Sequence, residues 1–551
     1  MKVIIVGGVA GGASAATRLR RQMEDAEIIV IERGPDVSFA NCGLPYYLGG
    51  VISQREQLLI TTPEGLRSRF KLDVRTLSQV ELIDRAQKNV QIRNLTNEQV
   101  YVESYDKLIL ATGAAPIRPP IAGLDLEGVF SLRSMQDSDR ILQALAGANS
   151  AVVVGAGFIG LEMVENLRHR NLQVTLVELS DQLLPPMDRE MTTPLQEVLK
   201  REQVTLHLGD SLETIERTDQ GLKVHLKSGL TGTTDVVILG VGVRPENGLA
   251  MQAGLSVGPR GGVQVDEQMR TSDRDIYAVG DLVEVTDFVT SRATQIPLAG
   301  PANRQGRLAA DSIAGLPVKF RGTQGTSVVA VFDMTAAATG ASEKALNTHK
   351  IPYDKIYVHA NQHAGYYPGA NPLTLKLLFE PETGKVLGAQ AIGRDGVDKR
   401  IDVLAMAIQA GLTVFDLEES ELCYAPPYGS AKDPVNMAGF VAANKIRGQH
   451  PQVSPENIAW DHFLLDVRTS SEYARGHIVG AANIPLDELR SRLSDLPTDR
   501  PILAYCQVGM RGYLATRILL QKGFAATNLA GGFKSYTMFG SPQPQTSKST
   551  N

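Results

Sequence analysis

A chain of 551 residues, 43% hydrophobic and 21% charged, has the make-up of a folded globular protein with three or more domains. A net charge of −5 supplies no basic field, which argues against nucleic acid or an anionic membrane as partner. Its three cysteines, Cys42, Cys423 and Cys506, fall in no Cys-x-x-Cys or metal-ligand spacing, so no metal is expected, and their scarcity suits a reducing, cytoplasmic compartment.

The chain opens directly on an apolar strand, 2–6, with no signal-peptide layout, and its longest apolar run, 151–161, is too short for a bilayer. Gly7, Gly8, Gly11 and Gly12 follow the strand, then a helix over 13–22 and a second strand, 27–31, ending on Glu32. Such glycines let backbone approach a pyrophosphate, the helix start favours its charge, and the acid suits a ribose. The motif is imperfect, with Val9 at the middle glycine position. In the stretch 38–46 stands Cys42, alone, so a redox role needs a sulfur partner from outside that stretch, most simply from the substrate. At a helix start beside the dinucleotide site its pKa is expected to be lowered, leaving mostly thiolate. A small buried core cysteine is the other reading. The strand 108–111 runs into Thr112 and Gly113. A second unit carries the complete motif Gly155, Gly157, Gly160, with Phe158 and Ile159 between, and its next strand ends on Glu178. That acid repels the extra phosphate of NADP, and no Arg follows in 179–181, which favours NADH. The strand 275–280 delivers Asp281.

Together these segments resemble the flavoprotein pyridine nucleotide-disulfide reductase superfamily over residues 1 to about 440. The resemblance implies FAD on the first unit, at Gly7, Gly8, Gly11, Gly12, Glu32, Arg33, Thr112, Gly113 and Asp281, with Asp281 on the ribityl chain. It implies NADH at Gly155, Gly157, Phe158, Ile159, Gly160 and Glu178, with Phe158 either a flavin cover or a core aromatic. The expected order is FAD domain (1–145), inserted NAD domain (146–244), and the rest of the FAD domain (245–320), the chain crossing back near Val241–Pro245. Within the superfamily, the segments 8–12 and 38–46 look most like the coenzyme A-disulfide reductases. That likeness implies a mixed disulfide between Cys42 and coenzyme A, with Arg18, Arg21, Ser38 and Asn41 contacting coenzyme A. A solvated basic face is the plainer reading of Arg18 and Arg21. Ala10, where peroxidase relatives carry His, argues against peroxide but leaves oxygen open as acceptor.

Strands over 327–332, 353–359, 373–379 and 385–392 and a helix over 397–410 resemble the superfamily's dimerisation domain (321–447). This implies a homodimer in which Tyr424 and one of Tyr366 and Tyr367 approach Cys42 of the other subunit, where a hydroxyl steadies a departing thiolate. Ordinary interface aromatics are the alternative. After a polar linker (448–458), the segments 464–468 and 473–485 and the loop 506–512 resemble a rhodanese domain (459–540). Cys506 lies there between strand and helix, where inward N–H groups and Arg511 stabilise a thiolate or persulfide. Residues 541–551 read as a disordered tail. The expected fold class is α/β: two Rossmann-like domains, an α+β dimerisation domain and a small α/β rhodanese domain. The expected activity is NADH- and FAD-dependent reduction of coenzyme A persulfide or polysulfide. Coenzyme A-disulfide reduction, a cysteine-sulfenate NADH oxidase and a non-enzymatic sulfur carrier or redox sensor remain as alternatives.

Overall fold

Val, Ile and Leu crowd both faces of the strands Lys2–Val6, Glu27–Ile31 and Lys107–Leu110, a pattern that only a sheet covered on both sides can bury. In the computed structural model, which describes residues 1–543, they lie in a parallel sheet ordered Ile276–Ala278, Lys107–Leu110, Lys2–Val6, Glu27–Ile31, Asp73–Arg75. A second parallel sheet is ordered Thr205–Leu208, Gln173–Glu178, Ser150–Val154, Val236–Leu239, Val129–Ser131. Its last strand precedes residue 146, so the expected domain boundary falls too late by one strand and the helix Met135–Leu145. Ala114–Pro116 and Val243–Pro245 pair antiparallel where the chain leaves and re-enters the first domain, so the return crossing expected near Val241 is there.

The chain divides into two compact units, Met1–Asp181 with Lys200–Gly325, and Gln182–Leu199 with the chain from Thr326 onward. Residues 182–199 thus group with the second unit. Their acids Asp188 and Glu190 are claimed by Lys376 of the second unit, whose side chain has no exposed surface.

The second unit holds an antiparallel sheet ordered Ser327–Val331, Met334–Gly340, Val386–Gly393, Pro372–Phe379, Asp354–Asn361. The helices Val397–Ala410 and Pro434–Ile446 pack on it. A parallel sheet follows, ordered Gln452–Val453, Ala526–Leu529, Ile502–Tyr505, Phe463–Asp466, Ala482–Asn483. The expected linker thus supplies this sheet's edge strand, and Glu456 within it pairs with Lys355. Of the expected tail, residues 541–543 are described, with the Tyr536 hydroxyl donating to the Pro542 carbonyl at 2.9 Å; the rest lies outside the described residues.

Candidate functional site

Both glycine turns sit at the carboxyl end of a central strand, where open α/β sheets bind nucleotides. Gly7 takes φ +102°, and a Cβ on Gly12 would come within 1.9 Å of the Gly7 carbonyl. The helix Ala10–Gln22 therefore begins hard against the strand, with Val9 as its cap residue. The second turn repeats this: Gly155 has φ +104°, and a Cβ on Gly160 would stand 1.8 Å from the Gly155 carbonyl. At Gly113 and Gly157 a Cβ would meet nothing within 4 Å, which leaves backbone facing open space. Neither helix has an acid in its first turn, so the amides there face an anion unopposed.

The two acids act alike. Glu32 accepts from the Gly8 and Gly34 N–H groups, both at 2.8 Å. Glu178 accepts from Ala156 at 2.6 Å and Ser180 at 2.7 Å. A carboxylate has about four acceptor positions, so each keeps capacity for a ribose. Asp281 lies in the 3₁₀ turn Gly280–Leu282, which abuts the first glycine turn: a Cβ on Gly11 would lie 3.7 Å from Gly280 N. Burial pushes the Asp281 carboxyl up, and Arg133 opposes this. Arg33 pairs with Glu246 at 3.0 Å, Arg133 pairs with the same carboxylate, and the Thr112 hydroxyl donates to the Glu246 carbonyl at 2.8 Å. Burial works against the Glu246 charge, but Arg133 and Arg33 hold its pKa below the usual range. Phe158 and Ile159 open the helix Phe158–His169, Phe158 half-buried and Ile159 exposed.

Cys42 occupies the 3₁₀ turn Asn41–Gly43 and is exposed. Contrary to expectation its thiol is pushed up, first by the protein packed around the sulfur and then by the Glu162 and Asp281 carboxylates. A three-residue turn has too few aligned peptides for the helix-start charge that would lower it. Asn41 turns its Oδ1 to the Cys42 N–H at 3.1 Å. Ser38 holds φ +49° and receives its place from backbone, its N–H donating to the Gly8 carbonyl at 2.8 Å. Arg18 is committed to Asp311 at 2.6 Å, while Arg21 is exposed. Beside Cys42, burial raises Glu162 to about 7, and the Tyr46 hydroxyl lies 3.4 Å from it.

In the second unit, the Tyr366 and Tyr424 hydroxyls are 2.9 Å apart, on exposed side chains. That hydrogen bond pushes Tyr366 up. Tyr367 instead sets its ring edge-on to His363 at 5.6 Å, so Tyr366 is the one that joins Tyr424. Cys423 is exposed. Cys506 is buried between the strand Ile502–Tyr505 and the helix Met510–Gln521, and the Gly509 N–H donates to its Sγ at 3.2 Å. Glu472 grips Arg511 through both guanidinium ends, at 2.8 and 2.6 Å, and also closes the capping box with Thr469. The hydrogen bond from Arg511 draws Glu472 down to about 2. Glu472 and Cys506 together push Arg511 up, so the cation lies within reach of the sulfur.

Residues 1–306 match the pyridine nucleotide-disulphide oxidoreductase model, more than half of the chain. The chain belongs to that family. Residues 326–434 match the dimerisation domain of pyridine nucleotide-disulphide oxidoreductases and 453–538 the rhodanese-like domain. Among solved structures, this oxidoreductase is similar to the reduced CoADR-RHD of Bacillus anthracis: 51% identity, TM-score 0.96, 98% of each chain covered. A NAD-dependent persulfide reductase from A. fulgidus is 39% identical with TM-score 0.92, over 97% of this chain and 100% of that one. The coenzyme A disulfide reductase of Staphylococcus haemolyticus is 37% identical over 447 residues, which are 80% of this chain and 99% of that protein.

The family implies FAD and NAD(H), and the residues present fit them: two tight turns with open backbone faces, each answered by an acid with acceptor capacity to spare. No described helix is long and apolar enough to cross a membrane. Four site residues in this oxidoreductase have no local sequence signal pointing to their partners: Glu162, Arg133, Glu246 and Glu472. Only Glu472 left a trace, as the acid of the Thr469-x-x-Glu472 capping pattern.

Proposed function

We propose that this oxidoreductase is a homodimer that uses NADH to reduce the sulfur–sulfur bond of coenzyme A persulfide or polysulfide at Cys42, with Cys506 handling sulfane sulfur. The observation that carries the reading is the presence, in one chain, of a free and exposed Cys42 beside the flavin turn and a rhodanese-like loop built around Cys506. The similarity of the whole chain to a NAD-dependent persulfide reductase supports it.

The FAD turn (Gly7, Gly8, Gly11, Gly12, Glu32, Asp281) and the NADH turn (Gly155, Gly157, Gly160, Glu178) would hold the two nucleotides. FAD, when bound, supplies the path by which the electron pair of NADH reaches a disulfide. The Cys42 sulfur attacks the coenzyme A-bound sulfur of the persulfide. That sulfur–sulfur bond breaks, hydrosulfide leaves with the electron pair, and Cys42 remains in a mixed disulfide. The hydride of NADH, which is two electrons and one proton, together with one further proton then returns the Cys42 thiol and the free coenzyme A thiol. Over the cycle, NADH, a proton and the persulfide become NAD⁺, coenzyme A thiol and hydrogen sulfide. Because Cys42 starts as a thiol, its proton must go somewhere, and Glu162, at about 7, is matched to take it and give it back. Tyr366 and Tyr424, lent by the other subunit, would donate to the leaving sulfur; their mutual hydrogen bond makes them one unit. Arg21, exposed, suits a coenzyme A phosphate better than Arg18, which Asp311 already holds.

The test is anaerobic NADH oxidation with coenzyme A persulfide and, separately, coenzyme A disulfide. A kcat/KM at least about tenfold higher for persulfide is expected, a transition-state difference of about 1.4 kcal/mol. A preference for the disulfide would select thiol-pool reduction, the reading favoured by the similarity of 80% of the chain to a coenzyme A disulfide reductase. Cys42→Ser should abolish NADH-linked turnover with both. Cys506→Ser should spare both and remove sulfur transfer from thiosulfate to cyanide.

A further inference from the structure

Two histidines outside the rhodanese-like fold reach the turn that holds Cys506. His359 stands on Asp354–Asn361, the edge strand of the dimerisation sheet. Its imidazole spans two hydroxyls, with Nδ1 2.8 Å from Thr374 Oγ1 and Nε2 2.9 Å from Ser535 Oγ. Ser535 lies in the helix Gly532–Met538, folded so tightly over Gly531 that a Cβ there would meet its Oγ at 2.0 Å. Gly531 in turn abuts Gly509: a Cβ on Gly509 would lie 3.5 Å from Gly531 N. The same helix start closes on the cysteine loop, the Phe533 N–H donating to the Cys506 carbonyl at 2.7 Å and Lys534 N–H to Gln507 at 3.0 Å.

From the other side comes His450, at the end of the segment leading out of the dimerisation domain. Its Nε2 accepts from Asn528 Nδ2 at 2.9 Å, and that Nδ2 also donates to the Gly509 carbonyl at 3.2 Å. The His450 ring packs on Tyr513, centroids 4.3 Å apart. Gly509 is therefore fixed at three points: N–H on the Cys506 sulfur, carbonyl on Asn528, α-carbon on Gly531. Imidazoles stand behind two of the three. Burial lowers His359 to about 3 and His450 to about 4, so both rings stay neutral through the physiological range.

We infer that His359 and His450 are positioning residues for sulfur transfer at Cys506, so that the rhodanese-like loop takes its working geometry from the dimerisation sheet and the connecting segment. The inference rests on the reading of Cys506 as the sulfur carrier. In that step the Cys506 thiolate attacks the outer sulfur of a donor such as thiosulfate. The donor's sulfur–sulfur bond breaks, sulfite leaves with the electron pair, and a persulfide anion remains on Cys506, with no net redox change. The Gly509 N–H points at the Cys506 Sγ, the sulfur that must carry charge as the attacking thiolate, so tilting Gly509 weakens the donor that stabilises the nucleophile.

The experiment uses the full-length FAD-loaded protein and thiosulfate as probe, with His359→Ala, Ser535→Ala, His450→Ala and, for rescue, His359→Gln. Three quantities are read: cyanide-releasable sulfur loaded on Cys506, the pH midpoint of Cys506 alkylation by iodoacetamide, and NADH-linked reduction at Cys42. Loading should fall about tenfold in His359→Ala, Ser535→Ala and His450→Ala, as expected for about one lost hydrogen bond. The alkylation midpoint should rise, His359→Gln should recover much of both, and reduction at Cys42 should stay within about twofold. Unchanged loading and an unchanged midpoint in His359→Ala and Ser535→Ala would overturn the inference for His359, and the same result in His450→Ala would overturn it for His450. Should His359→Ala fail to fold, Ser535→Ala decides alone. If the wild-type protein takes no sulfur from thiosulfate, the carrier reading of Cys506 fails, and the alkylation midpoint still decides whether the two histidines set the loop.

Discussion

Lys376 shows how much one side chain can hold. No surface of it is exposed, and its ammonium lies 2.7 Å from Asp188, with Glu190 and Glu343 as further partners. The three carboxylates gather within 4.8 Å of one another, which is tolerable only around a cation. Burial pushes Asp188 up in spite of Lys376. Glu343, although burial opposes its charge, is drawn to about 2 by Lys376 and Lys355. Lys376→Met should cost about 3–5 kcal/mol, because it leaves buried charges without their partner; a thermal melt that does not move would refute this. None of these contacts was visible in the sequence, since the partners lie far apart in the chain. Glu32 and Glu178 were legible because strand length and a glycine turn fix their places locally. Glu162 was not: its pKa near 7 comes from burial, which no spacing encodes.

Elements were legible where periodicity was strong and illegible where they were short or made of small residues. The helix Val397–Ala410 and the two glycine turns lie where the pattern puts them. The strand Met334–Gly340 was missed because it is mostly alanine and threonine with no apolar alternation, and alanine is depleted in strands. Neighbours set it instead, Ala336 opposite Ile392 and Val329. Gln452–Val453 was missed because two residues carry no period. The glycine turns give a sharp contrast to test. Gly160→Ala drives a Cβ into the Gly155 carbonyl and should lower stability by about 1–3 kcal/mol, read as a fall in the melting midpoint. Gly157→Ala meets no protein atom. It should leave the melt in place while raising KM for NADH about tenfold, since the methyl group enters the space that the pyrophosphate needs. Equal effects on stability from both would contradict the geometry.

At the scale of the whole chain, the second unit is tied together by two histidines that must stay uncharged and by one ion-paired lysine. His359 joins the dimerisation sheet to the rhodanese-like fold, His450 does so from the connecting strand's edge, and Lys355 bridges Glu343 and Glu456 nearby. Both histidines titrate below their ordinary 6.5, at about 3 and about 4. In the unfolded chain they take up protons as the pH falls through about 6.5, while in the folded chain they do not until about 4 and below. Over that window the unfolded state binds more protons, so stability rises with pH and is lost on acidification. Each unit by which a folded pKa is depressed weighs about 1.4 kcal/mol. Carboxylates elsewhere add their own slopes, so the informative quantity is a difference. Melting midpoints of the wild type and of a His359→Gln, His450→Gln double variant should be followed from pH 7 to pH 4. The wild-type curve should fall more steeply, because glutamine keeps a hydrogen-bonding amide at each position but removes the proton that the unfolded chain gains. Parallel curves would mean that the imidazoles are not held neutral by the interface, and that the rhodanese-like fold is docked by other contacts.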